Sequence, residues 1–310
     1  MKKLDFHVHI ECDIPTERSA AYFSDMCRRH GYDGVAIMSL YESFEGVLES
    51  CNQKALELKA AIKNSYAFAS LLPNEDFVEQ TKRYMQSGFD GIKLIRGGKP
   101  NYCKKQGFAY DDERYAEFFA YAEREQIPIL AHVNDPAASW DREKASQRAI
   151  DMGWVYDESY PSHEYLYSVV DRVLERYPKL NIALAHLGFY SEDLDRGMAL
   201  LDKYEGLHLD LTPALNIYFE MSQYPQKAKE FFEKYSHRLI FGTDATNLLE
   251  GEARAYNDKK NIITSTFFCG EYLSEHTFDG KVICSLGLSE EILERIYYKN
   301  ALDFMSAYKN

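Results

Sequence analysis

The chain begins with a run from Leu4 to Ile10 in which hydrophobic residues alternate with Asp5, His7 and His9. This period of two is typical of a β-strand, so both imidazoles are predicted to project from one face. Because they are two residues apart, about 7 Å along the strand, the two rings can converge on one metal ion. By itself, His-x-His more often belongs to a polar strand face turned to solvent than to a metal site.

Further short runs rich in Val, Ile, Leu or Ala follow, and near-continuous apolar runs are typical of strands covered on both faces. The predicted strands after the first are 34–40, 65–71, 91–95, 127–133, 181–187, 207–212 and 238–244. Between them, apolar residues recur at spacings of three and four, which predicts helices. The clearest predicted helices are 112–125, 162–176 with Ser162 as its cap, 191–204, and a last helix that begins at Ser289.

Eight strands that alternate with helices predict an α/β fold, the (β/α)₈ TIM barrel, with extended βα-loops. No low-complexity segment or Pro/Ser linker divides the chain, so residues 1–310 are predicted to form a single domain. An open sheet of seven or eight strands is the alternative fold.

Charge and cysteine content restrict the function classes. The chain has 36 Lys plus Arg against 49 Asp plus Glu, a net charge of −13, which disfavours nucleic acid and anionic membrane surfaces as partners. The six cysteines form no Cys-x-x-Cys pair, and no apolar stretch at the N-terminus resembles a signal peptide or a membrane span. We therefore expect a cytoplasmic protein with reduced thiols, in which Cys12 is a buried or bystander thiol.

In such barrels the chemistry lies at the C-terminal ends of the strands. His7 and His9 lie near the end of the first predicted strand, His132 ends the fifth, His186 ends the sixth and Asp244 ends the eighth. Each residue alone is a weak signal. Four histidines and an aspartate at one barrel mouth together predict a metal site.

This ordered set resembles the amidohydrolase superfamily, and more narrowly its amidohydrolase-related (amidohydrolase 2) branch, which also holds metal-dependent decarboxylases. The resemblance rests on His-x-His in strand one, histidines in strands five and six, and Gly-Thr-Asp-Ala in strand eight. The stretch from His132-Val-Asn-Asp-Pro to Trp140-Asp141 is also similar to the loop that follows strand five in that branch.

The resemblance implies that His7, His9, His132 and Asp244 hold the metal. It implies that His186 contacts the substrate and a metal-bound water, or binds a second ion in two-metal members. Imidazole and carboxylate ligands suit Zn²⁺ first, with Mn²⁺ or Fe²⁺ as alternatives, and one ion is the base case.

Three further residues are candidates at the mouth. Lys93 on strand four is either a carbamylated ligand that bridges two metal ions or a substrate-facing or salt-bridged lysine, and we favour the second. Arg96 is suited to a substrate carboxylate, although a solvated turn explains it equally well. Asn134 is a second substrate-binding candidate, or it orients His132 from behind.

The predicted function is a metal-dependent hydrolase that acts on a small amide, lactone or ester through a metal-activated water, with Asp244 and His186 as catalytic residues. The alternative is a lyase on the same scaffold, a non-oxidative decarboxylase of a small aromatic or unsaturated acid. A barrel that has lost its chemistry ranks last, because no ligand is missing. We expect a small-molecule substrate, and the stretch between Asp244 and Ser289 to form a lid or the contact of a homodimer.

Overall fold

A parallel sheet of nine short strands forms the centre of the protein in a computed structural model that describes residues 1–39, 47–73, 75–213, 216–247 and 252–308. Its strands are β1 Leu4–His9, β2 Gly34–Met38, β3 Tyr66–Ser70, β4 Gly91–Leu94, β5 Ile129–Ala131, β6 Ile182–Leu184, β7 Leu207–Asp210, β8 Leu239–Ile240 and β9 Ala245–Thr246. All predicted strands are confirmed with shorter bounds; Leu40, in the second predicted run, lies outside the described residues.

Helices follow the strands in alternation. They are α1 Thr16–His30, α2 Leu48–Ala61, α3 Phe77–Gln86, α4 Pro100–Gln106, α5 Ala116–Glu125, α6 Gln147–Asp151, α7 His163–Arg176, α8 Leu194–Lys203, α9 Asn216–Met221, α10 Pro225–Tyr235, α11 Glu252–Cys269, α12 Glu290–Glu294 and α13 Asn300–Ser306, with a π-helical turn at Arg295–Lys299. The predicted caps are confirmed, since the Ser162 and Ser289 hydroxyls accept hydrogen bonds from main-chain N–H groups three residues on.

The eighth predicted strand closes the sheet in two pieces. β8 pairs with β7, and after four residues β9 pairs with β1. Between these pieces, Phe6 N–H donates to the Phe241 carbonyl at 3.1 Å, and Asp244 N–H donates to the His7 carbonyl at 2.8 Å. The strands therefore surround one interior as a TIM barrel, and the prediction of this fold is confirmed.

Two apolar layers stabilise the barrel. Alternate strand residues, such as Val35 and Ile37, pack outward against the helices in a large cluster. The residues between them form a second, enclosed cluster that includes Phe6, Phe68 and Phe304 from the last helix. Because both faces of the strands are buried, they read in the sequence as nearly continuous apolar runs.

A register shift in β1 turns the histidines inward. The pairing of β1 with β2 is irregular between Asp5 and Val8. Phe6 belongs to the enclosed cluster and Val8 to the outer one, which is the change of face that a bulge produces. The prediction that both histidines share a face is confirmed, and Phe6 belongs to the enclosed cluster although it alternates with them in the sequence.

The prediction of reduced thiols is wrong for one pair of cysteines. Cys12, in the loop after β1, forms a disulfide with Cys51 of α2; their Cα atoms are 5.5 Å apart, and the two positions are 39 apart in sequence. The barrel brings two consecutive βα units side by side, which the spacing of the cysteines does not reveal. Four other cysteines are free thiols: Cys27, Cys103, Cys269 and Cys284.

The stretch predicted as a lid or dimer contact contains α11 and an antiparallel hairpin, β10 Glu275–Phe278 with β11 Lys281–Cys284. Residues 248–251 lie outside the described residues. No helix in the described part of the chain is long and apolar enough to cross a membrane.

Candidate metal centre

His7, His9 and Asp244 form a compact group at the C-terminal end of the barrel. One potential ligand atom from each of the three lies within 4.8 Å of the other two. The two Nε2 atoms are 3.0 Å apart, and Asp244 Oδ1 is 3.0 Å from His9 Nε2. Three of the four predicted ligands therefore converge.

Asp210 at the end of β7 orients His7. The Nδ1 atom of His7 donates to Asp210 Oδ2 at 2.6 Å, and the Thr212 hydroxyl oxygen is 3.2 Å from the same nitrogen. Burial raises the pKa of Asp210 to about 6, so its carboxylate is mostly ionised at neutral pH. A carboxylate that accepts from Nδ1–H leaves the Nε2 lone pair of His7 for a metal ion.

The backbone conformation of Asp244 and the side chains around it fix its position. Its φ of 55° lies in the left-handed region, which is a strained conformation for aspartate. The Asp5 carboxylate accepts from the N–H and the hydroxyl of Thr243, and Lys260 Nζ donates to the Asp244 carbonyl at 2.6 Å. Desolvation alone would raise the pKa of Asp244, but Lys260 and His9 hold it well below its usual range.

His186 faces the same group from β6. Residues 186–189 all have φ between 55° and 61°, and the helix predicted from 191 begins after this left-handed turn, at Leu194 with Asp193 as its cap. His186 Nδ1 donates to the Thr212 carbonyl at 3.2 Å, which leaves Nε2 as an acceptor. Its ring centroid is 5.7 Å from that of His7 and 5.0 Å from that of His132.

His132 lies beside the group rather than within it. Its Nε2 donates to the Asn134 carbonyl at 3.0 Å and is 3.5 Å from Asp135 Oδ1. Asp135 in turn forms a buried ion pair with Lys99 at 2.7 Å and accepts from the Tyr156 hydroxyl. In this orientation Nε2 is occupied, so the role of His132 as a metal ligand stays a prediction.

All three other candidates are buried. Lys93 is 1% exposed, and its Nζ is 3.3 Å from His7 Nε2. Lys93 and Arg96 line the same small cavity. Asn134 has its side-chain amide bound to the His163 carbonyl at 3.0 Å, and its own carbonyl accepts from His132. This arrangement favours the alternative in which Asn134 orients His132.

The donor set suits a divalent cation. Burial lowers the pKa of His7, His9, His132 and His186, so these imidazoles are neutral and present lone pairs. Two neutral imidazole nitrogens and a carboxylate oxygen are a ligand set for Zn²⁺ or Mn²⁺.

Sequence reasoning missed Asp210 and Lys260. Asp210 could have been found by the signal that identified His7 and His9, because His208, Asp210 and Thr212 alternate with leucines in strand seven. Lys260 lies on α11, and nothing in its sequence context distinguishes it from the lysine before it.

A TIM barrel with a His-x-His-Asp group at its C-terminal end defines a class of metal-dependent enzymes, and comparison with known proteins identifies the family. The family model described as amidohydrolase matches residues 33–305. The chain therefore belongs to the amidohydrolase family. No curated protein shows significant sequence similarity to it.

Solved structures share the fold at low sequence identity. An uncharacterised TIM-barrel protein from Bordetella bronchiseptica is 13% identical with a TM-score of 0.61, and 99% of each chain is covered. The 2,6-dihydroxybenzoate decarboxylase from Rhizobium is 13% identical with a TM-score of 0.56 over 98% of each chain. A dihydroxybenzoic acid decarboxylase from Polaromonas with bound manganese and the inhibitor 2-nitroresorcinol is 13% identical, with a TM-score of 0.58 over 100% of this chain and 98% of that chain.

Proposed function

We propose that this protein is a metal-dependent decarboxylase of a small aromatic or unsaturated carboxylic acid. The observation that carries the proposal is the position of Lys93, a buried ammonium group 3.3 Å from the metal-facing nitrogen of His7. A cation at that point can hold a substrate carboxylate beside the ion. The decarboxylases from Rhizobium and Polaromonas, which share the fold, support the same reaction type.

The charge balance around the site favours an anionic substrate. Four cationic side chains near the mouth are each 7% exposed or less: Lys93, Arg96, Lys99 and Lys260. Four carboxyl groups, Asp5, Asp135, Asp210 and Asp244, face them, and burial raises the pKa of Asp5 to about 7. A divalent ion would add two further positive charges, and in a protected site this excess is best neutralised by an anion.

For the metal we propose one divalent ion held by His7, His9 and Asp244, with His132 as a fourth ligand after a ring rotation. Zn²⁺ suits these ligands, and the manganese bound in the Polaromonas enzyme makes Mn²⁺ the first alternative. Such an ion supplies a Lewis acid for carboxylate or hydroxyl oxygens, or a water of lowered pKa in hydrolysis. With one ion, Lys93 carries no carbamate and keeps its ammonium group.

In decarboxylation the bond between the ring or alkene carbon and the carboxylate carbon breaks. CO₂ leaves, the electron pair stays on the carbon, and a proton replaces the carboxylate. Lys93 and Arg96 hold the carboxylate in place before bond cleavage. Asp244 and His186 are the groups placed to move the proton.

Hydrolysis of a small amide, lactone or ester is the second candidate. It is favoured by His186, a neutral imidazole fixed by the Thr212 carbonyl and facing the metal group. Its Nε2 lone pair can accept a hydrogen bond from the attacking water and orient it. Asp244 would then accept the proton of the attacking water.

A substrate screen distinguishes the two reactions. The metal-loaded protein is incubated with aromatic and unsaturated carboxylic acids and with lactones and amides, and both CO₂ release and acid production are measured. CO₂ from a carboxylic acid supports the decarboxylase; acid without CO₂ identifies the hydrolase. Lys93→Gln should lower kcat/KM for the acid about 10–100-fold, whereas Lys59→Gln, at a surface pair with Asp90, should not.

A further inference from the structure

A row of alternating cations and aromatic rings crosses the barrel mouth. Lys99 Nζ lies 4.5 Å from the ring centroid of Trp154, and the guanidinium carbon of Arg148 lies 5.9 Å from the same ring and 4.8 Å from the Tyr256 ring. Lys260 Nζ lies 5.0 Å from the other end of the row, the Tyr256 ring. Attraction between cations and ring faces extends to about 6 Å.

The lysines at the two ends of the row contact residues of the candidate site. Lys99 pairs with Asp135, whose Oδ1 is 3.5 Å from His132 Nε2. Lys260 Nζ donates to the Asp244 carbonyl. The row therefore joins the loop after β5, which carries α6, to the helix α11 that follows the eighth strand.

Arg148 at the centre of this row differs from the two lysines. Lys99 and Lys260 are buried and each is paired with an aspartate, whereas Arg148 is exposed. Within the described ranges, no carboxylate oxygen lies within 4 Å of its guanidinium group. An exposed guanidinium group without a carboxylate partner attracts anions locally, even on a protein with net charge −13.

We propose that Arg148 is a specificity-determining residue that captures the carboxylate of the substrate at the mouth, between the rings of Trp154 and Tyr256. The guanidinium fork binds a carboxylate through two parallel hydrogen bonds. This inference rests on the proposed function only in that the substrate is a carboxylate; it requires neither decarboxylation nor hydrolysis.

The test uses binding as well as turnover. Benzoate and the uncharged benzamide are titrated into the metal-loaded protein by calorimetry. Benzoate should bind saturably and benzamide at least about tenfold more weakly. Arg148→Gln should weaken benzoate binding about tenfold, and Arg148→Lys should restore part of the affinity because it restores the charge. Arg142→Gln, another exposed arginine of the same loop, is the matched control and should bind benzoate as the unmodified chain does.

With a carboxylate substrate that the protein turns over, Arg148→Gln should lower kcat/KM about tenfold and leave kcat within about twofold. The kcat/KM of this variant should also depend less on salt concentration than that of the unmodified chain. Equal benzoate binding in Arg148→Gln and the unmodified chain would overturn the proposal, as would the absence of any saturable benzoate binding. If no acid in the screen is decarboxylated but benzoate binding still depends on Arg148, the proposed reaction fails and this inference stands.

Discussion

His7 presents Nε2 to the metal group because Asp210 accepts the proton on its other ring nitrogen. Asp210→Asn keeps the size of the side chain but removes the charge that fixes this tautomer. We expect divalent metal affinity to fall about 10–100-fold, measured by competition with a chelator. Asp202→Asn, on the surface beside Lys234 at 3.0 Å, is the control. Equal metal affinity in Asp210→Asn and the control would show that Asp210 does not orient the ligand.

The structure also separates the roles of His7 and His186. His7→Ala removes one of three converging ligand atoms, so the purified variant should lose most of its metal. His186→Ala removes a ring that faces the group from 5.7 Å, so the ion should stay bound while turnover falls about 10²–10⁴-fold. Elemental analysis after dialysis, paired with turnover, measures both effects. Loss of the ion from His186→Ala would instead indicate that His186 is a ligand.

Single side chains show where sequence reasoning reaches its limit. His7, His9, His186 and Asp244 end predicted strands, and parallel strands of a barrel bring those ends together, so their convergence follows from the pattern. Lys260 comes from a helix whose orientation depends on the packing of the whole eighth unit. Its contact with Asp244 therefore has no signature in the local sequence.

At the scale of elements, the histidine strand illustrates the same limit. Alternation in the run from Leu4 to Ile10 predicts a strand correctly, but the bulge between Asp5 and Val8 decides which residues face inward. A bulge depends on the hydrogen bonds of the neighbouring strands, which the run itself does not specify. The left-handed turn after β6 is likewise set by tertiary contacts, because Leu187 and Phe189 are not residues that favour positive φ.

The disulfide joins the first two βα units and gives a direct prediction. A cross-link that spans 39 residues stabilises the folded state by about 4 kcal/mol in the chain-entropy treatment. The Cys12→Ser/Cys51→Ser double variant should therefore unfold at lower denaturant concentration than the oxidised protein. Reductant should shift the unmodified chain toward the variant and leave the variant unchanged.

Thiol counting provides the independent check of this pair. Under denaturing conditions without reductant, the protein should show the four free thiols identified in the fold, and all six cysteines after reduction. Six reactive thiols before reduction would mean that the pair is not formed in the isolated protein. In that case the reduced state expected from the sequence would be correct.

At the scale of the whole molecule, charge is distributed unevenly. The protein carries a net charge of −13, yet buried cations surround the metal group. The negative net charge is the reason why we expect nucleic acid to be a poor partner, and we expect the cationic mouth to be the place that attracts a small anion. Composition predicts the negative net charge, whereas the cationic mouth depends on which lysines the fold buries.

The floor of the barrel gives a prediction for the stability of the whole fold. His208 on β7 packs its ring 5.2 Å from that of Phe304 on α13, and its Nδ1 donates to the Gly206 carbonyl. Burial, with Arg238 nearby, lowers the pKa of His208 from 6.5 to about 3. Between these two values the unfolded chain binds a proton that the folded chain excludes. The contribution of His208 to the free energy of unfolding therefore decreases as pH falls from about 6.5 to about 3.

His208→Gln removes this proton, so its free energy of unfolding should depend less steeply on pH than that of the unmodified chain. The difference in slope should be up to about 1.4 kcal/mol per pH unit between about pH 4 and pH 6. Both chains are measured by denaturant unfolding without metal, so that the buried histidines of the mouth contribute equally and cancel. His276→Gln, on the exposed hairpin strand β10, should keep the slope of the unmodified chain. Parallel curves for His208→Gln and the unmodified chain would show that His208 accepts its proton in the folded barrel, and that the barrel floor is open to water.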